Sequence, residues 1–150
     1  MPDIVHLIRI KAAPARVYEA LTTADGIAGW WTRDVTLDGA VGGIGAFQFY
    51  GCTSMTRVRI DTLEPERRVA WTVLNSDAPG GWDDTTIAFT LRRDGEETVL
   101  SLAHRGFASE SEGFALVSTG WAYYLVSLQH LLERGAGKPQ QEKDFAILAG

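Results

Sequence analysis

The sequence predicts an α+β domain in which a curved antiparallel sheet of six to seven strands wraps around one long C-terminal helix. Three observations carry that expectation. The middle of the chain alternates with a period of two, as at Thr56, Val58, Ile60 and Thr62 against Arg57, Arg59 and Asp61. The strand-like runs are joined by short turn sequences such as Glu64-Pro65-Glu66 and Asp94-Gly95, which connect antiparallel neighbours. From Phe114 onward the period becomes helical, with Val117, Trp121, Tyr124, Leu125, Leu128 and Leu132 on one stripe.

Taken in order, residues 4–11 form the first strand, with Ile4, His6, Ile8 and Ile10 on one side. Pro14 then suits the first turn of a short helix, because its missing N–H has no partner to lose there, and Val17, Tyr18 and Leu21 give that helix its apolar stripe. A second short helix covers 27–31, with Asp25 as its cap. Val35 and Leu37 open a strand, 39–45 is a glycine-rich connection, and 46–50 and 56–62 are the next two strands. After the Glu64-Pro65-Glu66 turn come a strand over 68–74, a Gly-, Asp- and Pro-rich loop over 75–84, and strands at 85–91 and 98–104. Ser109 and Glu112 have the spacing of a capping box at the start of the long helix, and Gly135 suits its end. Gly120 weakens that helix by about 1 kcal/mol relative to Ala, which suggests close packing against it. A sheet of this size has one apolar face to cover, and the long helix is its natural cover.

The bulk properties narrow the function. The 150 residues suit a single domain with a C-terminal tail at 136–150, and the composition, 45% hydrophobic and 22% charged, is that of a globular protein. Fifteen aromatic residues, five of them Trp, point to an interior built from large side chains. A net charge of -5, with Arg57, Arg59, Arg67 and Arg68 interleaved with acids, argues against nucleic acid as a partner. No run approaches the roughly 20 apolar residues of a membrane span. A single cysteine, Cys52, cannot build a disulfide framework, and no secretory signal opens the sequence, so a cytoplasmic protein is expected.

The stretch Ile8 to Thr22 followed by Trp30-Trp31 resembles the opening of the family named for activators of the heat-shock-protein-90 ATPase. Gly42-Gly43 before a strand, His104-Arg105-Gly106-Phe107 after the last strand, and Gly120-Trp121 followed by Leu125, Leu128 and Leu132 are similar too, so the likeness runs to about Gly135. The resemblance implies the helix-grip fold of the START-like, polyketide-cyclase-like superfamily. It also implies a cavity between sheet and helix that holds an apolar or aromatic small molecule. Its motifs are apolar fold motifs, which describe architecture better than chemistry. Family members from eukaryotes carry a second, chaperone-contacting domain that has no counterpart here, so chaperone activation does not follow.

The residues themselves offer little catalytic chemistry. Metal-ligand spacings are absent, and Gly42-Gly43-Ile44-Gly45 precedes a strand rather than the helix a dinucleotide fingerprint needs, so no metal or cofactor is expected. Cys52 is a nucleophile only if a histidine meets it; its plainer role is a small buried hydrophobe. His6 and His104 follow the apolar sides of their strands, as core histidines with local partners or as polar groups that orient a ligand. Asp83 and Asp84 read as solvated turn residues more readily than as a gate. The expected site combines Phe49, Val58, Trp71, Phe89, Leu102, Phe114 and Trp121 as apolar walls with His104 and Tyr124 as polar handles, and Trp31 or Trp82 can meet the helix stripe. The leading expectation is binding of a small hydrophobic or aromatic molecule without catalysis. A cyclase- or hydratase-type enzyme and a protein-interaction module, including a co-chaperone, remain open, as does a homodimer formed through Phe145 to Leu148.

Overall fold

The computed structural model describes residues 1–49 and 54–139; Cys52 and the segment Phe145-Ala146-Ile147-Leu148 lie outside the described residues. The elements run β1 (Ile4–Ile10), α1 (Pro14–Thr22), α2 (Ala24–Trp30), β2 (Asp34–Leu37), β3 (Ile44–Phe49), β4 (Ser54–Glu64), β5 (Arg68–Ser76), β6 (Thr86–Asp94), β7 (Glu97–Arg105) and α3 (Glu112–Arg134). The strands form one seven-stranded antiparallel sheet in the order β1-β7-β6-β5-β4-β3-β2. β2 to β7 are a meander of neighbours, and β1 joins it by pairing with β7, Ile4 opposite His104 through Ile10 opposite Thr98. α1 and α2 therefore carry the chain from one edge of the sheet to the other. The β6–β7 hairpin turns at Gly95, whose φ of 64° suits glycine at the first position of a tight turn. Register shifts between Arg57 and Val58 and between Ile60 and Thr62 mark irregularities in β4, and such bulges add the twist that curves a sheet.

Alternation sorts the strands into an inner and an outer face. Val69, Trp71 and Val73 of β5, Ile87, Phe89 and Leu91 of β6, and Leu100, Leu102 and His104 of β7 are buried beneath the helices, and the hydrophobic ones share a single core with Val117, Trp121, Tyr124, Leu125, Leu128 and Leu132 of α3. Each such aliphatic side chain contributes about 1.5–3 kcal/mol by leaving water. Helix ends differ from the sequence expectation by one to three residues, α2 beginning at Ala24 rather than Ile27. Ser111, not Ser109, caps α3, its Oγ accepting from the Phe114 N–H at 3.1 Å, so the Ser109–Glu112 box is not formed. Thr23 caps α2 through the Gly26 N–H at 3.0 Å, which leaves Asp25 in the first turn, where a carboxylate favours the helix dipole. In both places two hydroxyl or acidic residues compete for one cap, and the path of the chain entering the helix, from α1 into α2 and from β7 into α3, decides between them.

Polar joints tie the helices together. The Trp30 indole, fully buried, donates to the Ala20 carbonyl at 2.9 Å and so locks α2 against α1. The Ser127 hydroxyl on α3 donates to the Trp30 carbonyl at 2.8 Å and accepts from the Lys138 N–H at 2.6 Å. One buried hydroxyl thus fastens α2, α3 and the chain leaving α3. Replacing it by alanine strands the buried Trp30 carbonyl and the part-buried Lys138 N–H. Ser127→Ala is expected to lower unfolding free energy by about 1–3 kcal/mol in urea titration, against a few tenths for an exposed control such as Ser109→Ala.

Candidate functional site

The interior between α3 and the last strands is organised by one histidine. His104 on β7 is fully buried. The Trp121 indole N–H on α3 donates to its Nδ1 at 3.0 Å, which fixes Nδ1 as the acceptor and places the ring proton on Nε2. Nε2–H then donates to Thr85 Oγ1 at 2.8 Å, and the Thr85 hydroxyl donates in turn to the Trp82 carbonyl at 2.5 Å. The Trp82 indole in turn donates to the Pro79 carbonyl at 2.9 Å. This is a one-way relay from helix to strand to loop, complete at every buried donor. Burial pushes the His104 ring down to about 3, so it is neutral, as its role of acceptor and donor requires. Rings enclose it: Trp82 edge-on at 4.6 Å and Phe107 at 4.4 Å between centroids.

The relay holds one wall of a pocket that opens beside it. α3 contributes Leu116, Val117, Gly120, Trp121 and Tyr124; the β5–β6 loop contributes Ala78, Pro79 and Trp82; Trp31, Phe49 and Ser54 complete the described lining. The cavity volume is about 70 Å³, and it opens to solvent at one side. Trp31 sits 5.0 Å from Trp121 and 5.4 Å from Phe49, and Trp82 stacks on Trp121 at 6.2 Å, so the aromatic wall is continuous. Gly120 has open space where a side chain would be: an added Cβ meets no atom of the described residues within 4 Å beyond its own stretch of helix. That reverses the expectation of close packing at Gly120. Close packing falls instead at Gly113, where a Cβ would come within 2.4 Å of the Gly80 backbone nitrogen, and this contact seats the β5–β6 loop on the start of α3. The loop is also held at its acids. Asp77 accepts from Ser54 Oγ at 2.7 Å and the Met55 N–H at 2.8 Å, bonds that hold its carboxyl below the usual range, and Asp83 accepts from the Ser76 N–H at 2.9 Å.

Of the residues expected at the site, Phe49, Trp121 and Tyr124 line the pocket together. Val58, Trp71, Phe89, Leu102 and His104 lie one layer deeper, at most 1% exposed, and Phe114 stacks edge-on against Phe107 at 5.1 Å near the start of α3. His6 points to α3, where its Nε2 lies 3.0 Å from the Ser118 carbonyl and 3.2 Å from the Ser118 hydroxyl. Sequence reasoning left out Gly120 and the Ala78-Pro79 stretch. The available signals were a glycine in mid-helix on the apolar stripe and a tryptophan within an otherwise polar loop. Among the described residues, no group of three His, Cys, Asp or Glu could hold a metal ion, and no helix is long and apolar enough to cross a membrane.

The buried neutral histidine makes stability depend on pH with a definite sign. The unfolded chain takes up this proton near pH 6.5, whereas the folded protein takes it only near 3. The stabilisation is therefore complete above about pH 6.5 and is lost as the pH falls, at about 1.4 kcal/mol per unit. Between pH 6.5 and 5, urea titrations should show His104→Gln with a pH slope shallower than wild type by about that amount. Equal slopes would mean that His104 is protonated in the folded protein.

The comparisons with known proteins agree with this fold. The family model described as "Activator of Hsp90 ATPase homolog 1-like protein" matches residues 11–133. The solution structure of the Aha1 dimer from Colwellia psychrerythraea is 35% identical, covering 91% of this chain and 100% of that one with a TM-score of 0.82. CalU16 from Micromonospora echinospora is 25% identical over 89% of this chain and 77% of its own, with a TM-score of 0.69. The protein SSP2350 from Staphylococcus saprophyticus, at 18% identity, covers 94% of this chain and 99% of its own with a TM-score of 0.77, a likeness of fold alone. No curated protein matches the sequence. With its sheet, its gripped C-terminal helix and a family match over most of its length, this chain belongs to the Activator of Hsp90 ATPase homolog 1-like family and has the helix-grip fold of the START-like, polyketide-cyclase-like superfamily.

Proposed function

We propose that the protein binds a small apolar or aromatic molecule in the pocket between α3, the β5–β6 loop and the end of β3, without turning it over. The observation that carries this reading is Gly120. A glycine inside a helix costs about 1 kcal/mol relative to alanine, and here no described residue crowds the position. The missing side chain leaves room that Trp31, Phe49, Trp82, Trp121 and Tyr124 surround. A stability cost with no packing reason fits a pocket kept open for use.

The size of the pocket limits its ligand. A cavity of about 70 Å³ is roughly half the engineered cavity of about 150 Å³ that takes up benzene in another protein. The proposed ligand therefore inserts one ring or branched apolar group between Trp31 and Trp121 and leaves its remainder at the mouth, past Ser54 and Pro79. Among the described lining residues none is Asp, Glu, His, Lys or Arg, which supports binding over proton-transfer catalysis. His104 serves by fixing Trp121, and Val58, Trp71, Phe89 and Leu102 back the wall. The relative from Colwellia psychrerythraea is described as a dimer, which supports self-association of this chain as a second part of the reading.

Gly120→Leu separates binding from folding, because the new side chain occupies the open space and improves helix propensity. In thermal denaturation, millimolar 2-naphthol is expected to raise the midpoint of the wild type and not that of Gly120→Leu, while the unliganded variant melts no lower than wild type. An equal shift in both proteins would place the binding elsewhere. No shift in wild type with any apolar probe would sink the proposal.

A further inference from the structure

We infer that two copies of this chain associate through the free edge of β1, pairing antiparallel about a two-fold axis at His6 to make one sheet continuous across both. The inference rests on the self-association proposed above and names its surface.

β1 ends the sheet, with β7 on one side only. The Pro2 carbonyl accepts from the Phe107 N–H, so even-numbered backbone groups face β7. Odd-numbered groups face outward, as the partners of the far end confirm: the Arg9 carbonyl accepts from Gln129 Nε2 and the Lys11 N–H donates to Glu133, both on α3. The helix thus caps the edge from Arg9 onward. Toward the start of the strand, no described residue meets the outward groups of Val5 and Leu7. Natural edges are blunted by charge, proline or cover, and here the uncapped stretch instead presents Val5 at 59% and Leu7 at 69% exposure.

The stretch is complementary to itself. In an antiparallel pair centred on His6, Val5 lies opposite Leu7 of the second copy, and Asp3 lies opposite Arg9 of the second copy. Val5 and Leu7 form the hydrogen-bonded type of pair, so the two copies exchange four backbone bonds. The four aliphatic side chains then meet on the outer face, and each end of the seam sets a carboxylate against a guanidinium. Asp3 and Arg9 already bond to Arg105 and Asp94 within the chain, at 2.9 and 2.7 Å, which holds both side chains on that outer face, while each stays partly exposed. Centring the pair on Leu7 instead would set Val5 opposite Arg9, whose outward carbonyl Gln129 already holds, so the cap favours the axis at His6. The seam ends where Gln129 and Glu133 cap the edge.

Sedimentation equilibrium over a concentration series tests this. Wild type is expected to show a monomer–dimer equilibrium. Leu7→Lys and Arg9→Glu should each raise the dissociation constant at least about tenfold, and Asp3→Lys combined with Arg9→Glu should recover most of the loss of Arg9→Glu. Circular-dichroism melts of each variant confirm folding, and Leu7→Lys, at an exposed position, is expected to stay folded. A dimer that ignores these substitutions preserves self-association and overturns the β1 seam. A monomer at all concentrations overturns both. A monomer whose β1 edge takes up an added extended peptide assigns the edge to a foreign strand, and overturns this proposal as well.

Discussion

The hydrogen bond from Trp121 to the neutral ring of His104 is the contact on which the open end of the molecule depends. It joins the middle of α3 to the end of β7, and through Thr85 it reaches the loop that carries Trp82 and Pro79. Both partners are buried, so a broken link would leave a donor and an acceptor without water, and such groups cost about 1–3 kcal/mol each. The pocket wall is therefore rigid on one side: Trp82 and Trp121 keep their stacking because their polar ends are tied. The aromatic residues supply area, and the relay supplies position.

This explains how a sheet of large aromatic side chains and one helix leave a small pocket rather than a through-going cavity. Trp71, Phe89 and Phe47 fill the curvature of the sheet in mutual contact, with Trp71 at 5.4 Å from Phe89 and 5.3 Å from Phe47. Trp31 stacks parallel to Trp71 at 6.3 Å and closes the layer. Beyond Trp31 and Trp121, where Gly120 offers no side chain, the filling by described residues stops. A single omitted side chain, set against an otherwise dense interior, marks the place that the proposed guest would enter.

Much of the fold was legible in the sequence because it rests on periodicity. Alternation at Thr56 to Thr62 and at Thr98 to His104 gave strands and their inner faces, and the helical stripe from Val117 to Leu132 gave the gripped helix. Boundaries were less legible, since Ser109 and Ser111 are equally good caps in isolation and only the chain path selects Ser111. The site was legible in part. Phe49, Trp121 and Tyr124 follow from pattern, but whether Val58 or Leu102 borders space or another side chain depends on three-dimensional packing that no spacing encodes. Gly120 shows the limit most clearly: in one dimension a mid-helix glycine signals tight packing or open space equally well.

The central claim is that the space beside Gly120, and not the deeper layer around Val58 and Leu102, is where an apolar guest enters. A crystal of the protein held under xenon pressure tests it directly, because xenon occupies apolar cavities without needing polar partners. The account predicts a xenon peak bordered by Trp31, Gly120 and Trp121, which Gly120→Leu abolishes. Xenon between the sheet and α3 at Val58 and Leu102, with none beside Gly120, would contradict it.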